Sequence, residues 1–195
     1  KTDMSNETEK ADNMAFMRAC VDQYYRVATE AIRRHDGNHM FFGDKWNANS
    51  DSFDNLADIV APYCDVAYFQ CYGKWDYIKP RLDRWSKLTG LPLLNGDSSY
   101  GTPKAHMPKP GGTVLPTQAA RVAATREFCE NAFARPDFVG WHICGILEMW
   151  NTMPGQQASQ KIGLKSPTGE WDMEMADALR DLSERLYEIG RGEKQ

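Results

Sequence analysis

The 195-residue sequence lacks features that mark several classes of protein. It has no apolar run of the ~20 residues that a membrane-spanning helix needs. It also has no basic excess, because 23 Lys and Arg stand against 27 Asp and Glu and give a net charge of −4. Nucleic-acid binders usually carry a basic surface. We therefore expect neither a membrane nor a nucleic acid as a partner.

Cysteine is scarce, and its spacing indicates neither disulfides nor a metal. The number is odd and no pair has C-x-x-C spacing, which argues against a disulfide framework and a zinc ribbon. Cys20 and Cys129 fall on apolar faces of predicted helices, so we expect both to be buried free thiols. We expect no metal and no cofactor. The five cysteines are Cys20, Cys64, Cys71, Cys129 and Cys144.

What the sequence does contain is a regular alternation of helical and strand-like segments. Apolar residues at a period near 3.6 predict helices, and short apolar runs predict strands. Such alternation is typical of parallel strands covered by helices, here in a single domain over residues 1–195. The predicted helices are 12–34, 52–60, 75–88, 118–133 and 175–189. The predicted strands are 40–43, 65–72, 91–95 and 138–144, and the long loops are 101–117 and 149–170.

Two architectures fit this α/β pattern. A doubly wound sheet usually has a glycine-rich phosphate loop after its first strand. The corresponding segment, residues 43–49, has one glycine, and neither G-x-G-x-x-G nor G-x-x-x-x-G-K occurs anywhere in the chain. The other architecture is a (β/α)8 barrel, which takes ~250 residues. Four strands would then be half of a barrel.

Polar and aromatic side chains lie at or just beyond the carboxyl ends of all four predicted strands. Chemistry in parallel α/β folds takes place beyond the carboxyl ends of the strands. Carboxylates act on glycosidic bonds, and flat aromatic rings and amides suit sugar rings. Asp and Asn at these positions also cap helices, so a purely structural role stays open for each residue. The candidates are Asp44, Lys45, Trp46 and Asn47; Gln70 and Tyr72; Asn95, Asp97 and Ser98; and Trp141, His142, Glu148 and Trp150.

Two of the four histidines are set aside. His39 lies at the start of a predicted strand, away from the rim, and is interpreted as structural. His106 lies in the proline-rich loop 101–117, and its position by itself indicates nothing.

Four segments occur in a distinctive order and spacing. They are Tyr24-Tyr25 with Ala31-Ile32-Arg33-Arg34-His35-Asp36-Gly37-Asn38-His39 and Gly43-Asp44; Gln70-Cys71-Tyr72; Leu91-Pro92-Leu93-Leu94-Asn95-Gly96-Asp97-Ser98; and Phe138-Val139-Gly140-Trp141-His142. Together they resemble the fifth to eighth strands of clan-A glycoside hydrolases, in particular the agarase and β-galactosidase-like members. The likeness extends over residues 17–189.

The resemblance implies the C-terminal half, strands 5 to 8, of a (β/α)8 TIM barrel. It implies a glycosidase that cleaves a β-linked polysaccharide or oligosaccharide, such as an agarose-like galactan, by carboxylate catalysis. The partner would be a carbohydrate, and the missing N-terminal half of the barrel or a second chain would complete the fold. Relatives are commonly exported, which favours a periplasmic or secreted location, whereas five unpaired cysteines fit a reducing interior equally well, so the sequence leaves the compartment open.

The resemblance also implies roles for the candidate residues. Asp97 would attack the anomeric carbon or stabilise the transition state, and Tyr72 would hydrogen-bond the Asp97 carboxylate. The remaining candidates would bind substrate: Lys45, Asn47 and Gln70 through sugar hydroxyls, Trp46, Trp141 and Trp150 by stacking, and Asp44, His142 and Glu148 as further polar contacts.

Two departures from the family pattern leave alternatives open. Position 97 is Asp where the family has Glu, and the shorter side chain changes the carboxyl separation, which is ~5–5.5 Å in retaining and ~6.5–9.5 Å in inverting enzymes. The acid/base Glu should follow an Asn at the end of a fourth strand; Asn6-Glu7 has those letters but no strand before it. A non-catalytic sugar-binding or scaffold protein is therefore an alternative, and a phosphate-binding α/β protein is a third.

Overall fold

The computed structural model describes residues 6–48, 51–150 and 163–192. Helices and strands alternate along these residues, as the sequence predicts. The strands are β1 (Trp46–Asn47), β2 (Ala67–Gln70), β3 (Leu93–Ser98) and β4 (Phe138–Ile143). The helices are α1 (Glu7–His35), α2 (Ala57–Val60), α3 (Trp75–Thr89), α4 (Gln118–Phe133), α5 (Met173–Glu184) and α6 (Leu186–Arg191), with short 3₁₀ turns at Asp51–Asn55 and Ala61–Tyr63.

The four strands form one parallel sheet in the order β1-β2-β3-β4. Each strand therefore lies beside the next one along the chain, with no reversal of direction. A doubly wound sheet reverses its strand order at a switch point, whereas the wall of a barrel does not. The strand order is thus that of a section of barrel wall.

One face of the sheet packs against the helices. Phe69, Leu93 and Phe138 from successive strands are buried in one cluster with Leu82 of α3 and Phe128 of α4. Each large apolar side chain removed from water contributes about 1.5–3 kcal/mol. This layer is the main core of the domain, and it fixes the positions of the strand ends.

The other face of the sheet is open. A hollow of about 370 Å³ on this face is lined by Phe42, Tyr68, Leu94, Gly96, Gly140, Trp141 and His142. Tyr68 lies across Gly96, where an added Cβ would come within 1.8 Å of the Tyr68 ring. Leu94 lies across Gly140 in the same way, and a Cβ added at Gly140 would come within 2.9 Å of Leu94 Cδ1. Each large side chain is thus accommodated over a glycine of the next strand.

The predicted strand over 40–43 is wrong, because that segment forms no strand ladder and is held at Asp65, by its carboxylate and by one backbone hydrogen bond. The Asp65 carboxylate accepts the Phe41 N–H at 2.6 Å, and the Asp65 N–H donates to the Phe41 carbonyl at 2.8 Å. This Phe41 N–H, together with Arg33, lowers the pKa of Asp65. Gly43 then turns the chain at φ +67°, close against Tyr25 and Cys64. Pairing with β2 starts only at Trp46.

The boundaries of three helices also differ from the prediction. Helix α1 begins at Glu7 because the Asn6 side chain caps it, accepting the N–H groups of Thr8 and Glu9. The predicted helix over 52–60 is a 3₁₀ turn followed by α2, and the last helix is broken at Arg185 between α5 and α6. In the described part of the chain, no helix is both long and apolar enough to cross a bilayer.

The cysteines are all free. Cys129 is buried against the core as expected, and burial raises the pKa of its thiol to about 12. The expectation for Cys20 is wrong, because it is exposed. Its neighbours on α1 at helical spacing, Phe16 and Tyr24, are exposed as well. The helix therefore has a second apolar stripe, and periodicity alone does not show which stripe packs on the core.

The contact between Tyr68 and Gly96 yields a stability test. Gly96→Ala should lower the free energy of unfolding by about 1–3 kcal/mol, because the new methyl group would collide with the Tyr68 ring. Urea denaturation measures this change. Gly37→Ala is the matched control, since nothing lies within 4 Å of a Cβ there. If the collision is the cause, the loss in Gly96→Ala should shrink when Tyr68→Ala is added.

Candidate active site

Polar side chains from three neighbouring strands line up at the carboxyl rim of the sheet. Asn47 of β1 pairs in register with Gln70 of β2, and Gln70 pairs with Asp97 of β3. Lys45 directly precedes β1, and Tyr72 follows β2 by two residues. We call Lys45, Tyr72, Asp97 and Cys144 the Asp97 site.

An irregularity in β3 determines where Asp97 lies. Between Asn95 and Asp97 the strand advances two residues while β2 advances one, from Phe69 to Gln70. Such a bulge re-aims the side chain that follows it. The fully buried Asn95 spans the irregularity: its amide donates to the Cys71 carbonyl at 3.5 Å, and its Oδ1 accepts the Asp97 N–H at 3.4 Å.

The two oxygens of Asp97 have different partners. Tyr72 Oη donates to Oδ1 at 2.7 Å, and Lys45 Nζ donates to Oδ2 at 2.5 Å. The Cys144 side chain, at the end of β4, also hydrogen-bonds both Asp97 and Tyr72. The Asp97 side chain keeps 16% of its surface exposed, so solvent or a ligand can still reach the carboxylate.

These contacts keep Asp97 ionised. Burial by itself raises the pKa of Asp97, but hydrogen bonds from Cys144, Lys45 and Tyr72 outweigh it and lower the pKa below its ordinary value. The hydrogen bond to Asp97 raises the pKa of Lys45. Burial, followed by the contacts with Cys144 and Asp97, raises the pKa of Tyr72, which keeps the phenol protonated as a donor.

The direction of the Asp97 shift has a consequence for stability. A carboxyl group whose pKa is lower in the folded state stabilises the fold above its unfolded pKa. That contribution is lost as the pH falls through the folded pKa. Chemically, the site holds a fixed, ionised carboxylate with three hydrogen-bond donors, an arrangement suited to attack on a carbon centre or to stabilising positive charge.

Glu148 and Trp150 lie in a second group of polar residues. Glu148, with 1% of its side chain exposed, accepts from Lys104 at 2.6 Å, and its Oε2 lies 2.5 Å from His106 Nε2. Lys104 also pairs with Asp172 at 3.0 Å. The Trp150 ring contacts His106 edge to face, with 6.0 Å between centroids. We call Lys104, His106, Glu148 and Asp172 the Glu148 cluster.

A buried arginine ties the Glu148 cluster to the core. Arg121 of α4 is fully buried and pairs with Asp172 at 2.9 Å. It also donates to the carbonyls of Tyr100 at 3.0 Å and Gly163 at 2.9 Å. Arg121 therefore connects the loop after β3 with the segment that leads into α5.

Two other sequence-predicted residues, Asp44 and Trp46, have their contacts on the side of α1. The Asp44 carboxylate accepts from Tyr25 Oη at 3.2 Å, and Trp46 packs between Tyr25 and Phe53. These two residues thus take part in packing around α1.

Trp141 and His142 lie within β4, as they do in the predicted strand 138–144, and both line the open hollow of the sheet. Among the described residues, the buried Nε1 of Trp141 has no hydrogen-bond partner.

The Asn6-Glu7 pair belongs to a helix start. Asn6 is the N-cap of α1, and Glu7 lies in its first turn with 84% of its side chain exposed. Helix capping therefore accounts for the Asn6-Glu7 sequence without a catalytic role. In the described residues 6–48, 51–150 and 163–192, no group of three or more His, Cys, Asp or Glu side chains could hold a metal ion.

Sequence reasoning missed three features of these sites. Cys144 directly follows β4, so the rule that selected the other strand-end residues could have found it. The ion pair of Lys45 with Asp97 joins residues 52 positions apart, and the contact of His106 with Glu148 joins residues 42 apart. No local pattern signals either contact.

Comparisons with known proteins show which solved structures share this fold. No family model and no curated protein sequence matches the chain. Among solved structures, an exo-beta-agarase matches with a TM-score of 0.79 and 20% identity, over 95% of this chain and 25% of the agarase chain. The structure of BpGH50 matches with a TM-score of 0.79 and 18% identity, over 99% of this chain and 41% of the other.

A beta-D-glucuronidase from Dictyoglomus thermophilum matches with a TM-score of 0.61 and 16% identity, over 83% of this chain and 29% of the other. The chain therefore spans between a quarter and two fifths of the length of these proteins. It has a partial, TIM-barrel-like glycoside hydrolase fold.

The ion pair between Lys45 and Asp97 yields a pH test. In Lys45→Met the pKa of Asp97 should rise, because burial would no longer be offset by the ammonium group. NMR titration of the Asp97 carboxyl carbon measures the midpoint. Lys79→Met, which removes an exposed pair with Asp83, is the control and should leave that midpoint in place. An unchanged midpoint in Lys45→Met would contradict this account of the site.

Proposed function

We propose that this chain is the C-terminal half, strands 5 to 8, of a glycoside hydrolase barrel, and that it acts on a β-linked polysaccharide or oligosaccharide. An agarose-like galactan is the substrate class we favour, because agarases are among the structures whose fold the chain shares. The observation that carries the proposal is the ionised Asp97, held by Tyr72 and Lys45 at the carboxyl rim of that fold.

Each residue of the rim has a role in this proposal. Asp97 attacks the anomeric carbon or stabilises the oxocarbenium-like transition state. Tyr72 donates to Oδ1 and holds the carboxylate in one orientation. Lys45 balances the negative charge of Asp97 and becomes available to a sugar hydroxyl as charge on the carboxylate is consumed. Asn47 and Gln70, beside Asp97 in register, bind further hydroxyls.

The proposed mechanism needs a second carboxylate as general acid or base. Glu148 is a poor candidate, because it is buried and paired with Lys104 and His106. We propose that the second carboxylate comes from the other half of the barrel or from a second chain. Two features support a missing partner: the open face of the sheet, and the edge strand β1, which pairs with β2 alone in the described residues.

The proposal also covers the aromatic residues. Trp141 and His142 line the open hollow, where the partner half would close the barrel, and there we propose that they contact substrate. Trp150, with 60% of its surface exposed, offers a stacking surface beside His106. Asp44 and Trp46 contribute indirectly, by fixing the segment that carries Lys45.

A non-catalytic sugar-binding protein is the second candidate. The observation that favours it is the close ion pair of Asp97 with Lys45, since an ammonium group bound to a carboxylate makes that carboxylate a weaker nucleophile. Binding of agarose oligosaccharides by calorimetry, with no reducing ends released by the unmodified complete protein, would establish this alternative.

Asp97→Asn tests the enzymatic function. In the complete protein, which includes the second carboxylate, release of reducing ends from agarose should fall by about a hundredfold or more, because the amide can neither attack nor carry the charge. Asp177→Asn changes an exposed carboxylate on α5 and should leave the rate unchanged. Undiminished turnover in Asp97→Asn, on every substrate that the unmodified protein cleaves, would remove Asp97 from the chemistry.

A further inference from the structure

An open pocket of about 360 Å³ lies next to the Glu148 cluster. None of the four residues of the Asp97 site lines it, so it is a separate site. Its walls come from the loop after β3, the start of α4 and the segment before α5. Lining residues that matter for its chemistry are Lys104, His106, Thr117, Gln118, Ser166 and Trp171. We call it the outer pocket.

The outer pocket opens on the same rim of the sheet as Asp97. Helix α4 follows β3 and α5 follows β4, and both strands belong to one parallel sheet. In such a fold the helices that follow the strands begin near the carboxyl ends of the strands. Thr117, Gln118 and Asp172, which cap or begin these two helices, all line the outer pocket.

Four charged groups around the outer pocket are paired with one another. Lys104 lies between Glu148 and Asp172, and Asp172 also pairs with the buried Arg121. Gln118 donates to Asp172 at 2.9 Å. Glu170 adds a carboxylate to the wall, which accepts a hydrogen bond from Thr168 at 3.4 Å. The walls therefore disfavour an anion, and their carboxylate, hydroxyl and amide groups can hydrogen-bond a ligand that carries hydroxyl groups.

Trp171 adds a flat apolar surface to the polar walls. Its surface is 54% exposed, and Lys165 Nζ lies 5.1 Å from its ring centroid. Thr117 and Ser166 bring hydroxyl groups to the same pocket. An indole surface beside hydroxyl and amide groups complements a sugar ring, which has apolar C–H faces and hydroxyl edges. The volume falls in the range of about 300–1,000 Å³ that is usual for small-ligand sites.

His106 is oriented by the buried carboxylate of Glu148. Since Nε2 is in contact with Glu148, Nδ1 is the ring nitrogen left to accept a hydrogen bond from a ligand hydroxyl when the ring is neutral. Arg121 holds both walls, through Tyr100 on one side and Gly163 and Asp172 on the other. The outer pocket is therefore built before any ligand arrives, which lowers the entropic cost of binding.

We propose that the outer pocket binds a sugar unit of the same glycan chain that reaches Asp97, beyond the point of cleavage. This inference rests on the proposed function, and it predicts that the protein binds long oligosaccharides more tightly than short ones. Trp171 provides the stacking surface, Gln118 and Thr117 provide hydrogen bonds, and His106 provides an acceptor.

An NMR titration tests the outer pocket directly. The Asp97→Asn protein, labelled with ¹⁵N-tryptophan, is titrated with an agarose hexasaccharide and with an agarose disaccharide. The chain has six tryptophans, and Trp171→Phe assigns the Trp171 indole signal. We expect a saturable shift of that signal with the hexasaccharide, and a hexasaccharide Kd about tenfold weaker after Trp171→Ala. Tyr187→Ala, which removes an exposed aromatic ring on α6, is the control and should leave the Kd unchanged.

The possible outcomes separate this inference from the proposed function. Hexasaccharide binding that leaves the Trp171 signal in place would overturn the outer pocket as a sugar site while leaving the proposed function standing. A saturating Trp171 shift, together with no release of reducing ends by the unmodified complete protein, would support the outer pocket and overturn the hydrolase. No binding by NMR or calorimetry would overturn both. The shift is measured in a protein with an intact outer pocket, so a folding defect in Trp171→Ala leaves the test valid.

Discussion

At Gly96, β3 carries one residue more than β2 beside it, and both faces of the sheet depend on this local irregularity. The absent side chain leaves room for Tyr68 on the open face. The extra residue shifts the register so that Asp97 pairs with Gln70 and reaches Tyr72 and Lys45. Packing and the geometry of the carboxylate are therefore set by the same backbone feature, which a regular strand of the same length would not provide.

Much of the fold could be predicted from the sequence, because most elements have clear local signals. Helix α4 was predicted at its observed bounds, Gln118–Phe133, and begins at the capping Thr117. The first strand could not be predicted. The apolar run at 40–43 has the composition of a strand, but the Asp65 carboxylate accepts the backbone N–H of Phe41 in place of a neighbouring strand. That competition comes from a residue 24 positions away, which local pattern does not reveal.

The candidate site could be predicted only in part. The position of a residue along its strand shows at which rim of the sheet it lies, but not which side chains lie beside it. Asp97 and Tyr72 were expected to share a hydrogen bond, and they do. Glu148 was expected on the same rim, but the loop after β3 brings Lys104 and His106 to it and buries it. Long loops without a repeating pattern give no register from which such contacts can be deduced. The Glu148 cluster could therefore not be predicted from the sequence.

Each carboxylate of the Asp97 site and of the Glu148 cluster has a cation beside it: Lys45 with Asp97, Lys104 with Glu148, and Arg121 with Asp172. Such a surface projects little electric field beyond a Debye length, about 8 Å at physiological ionic strength. A neutral polymer would then meet this rim by diffusion and contact, without electrostatic steering. Its association rate should consequently depend little on salt, a property suited to surroundings of variable ionic strength.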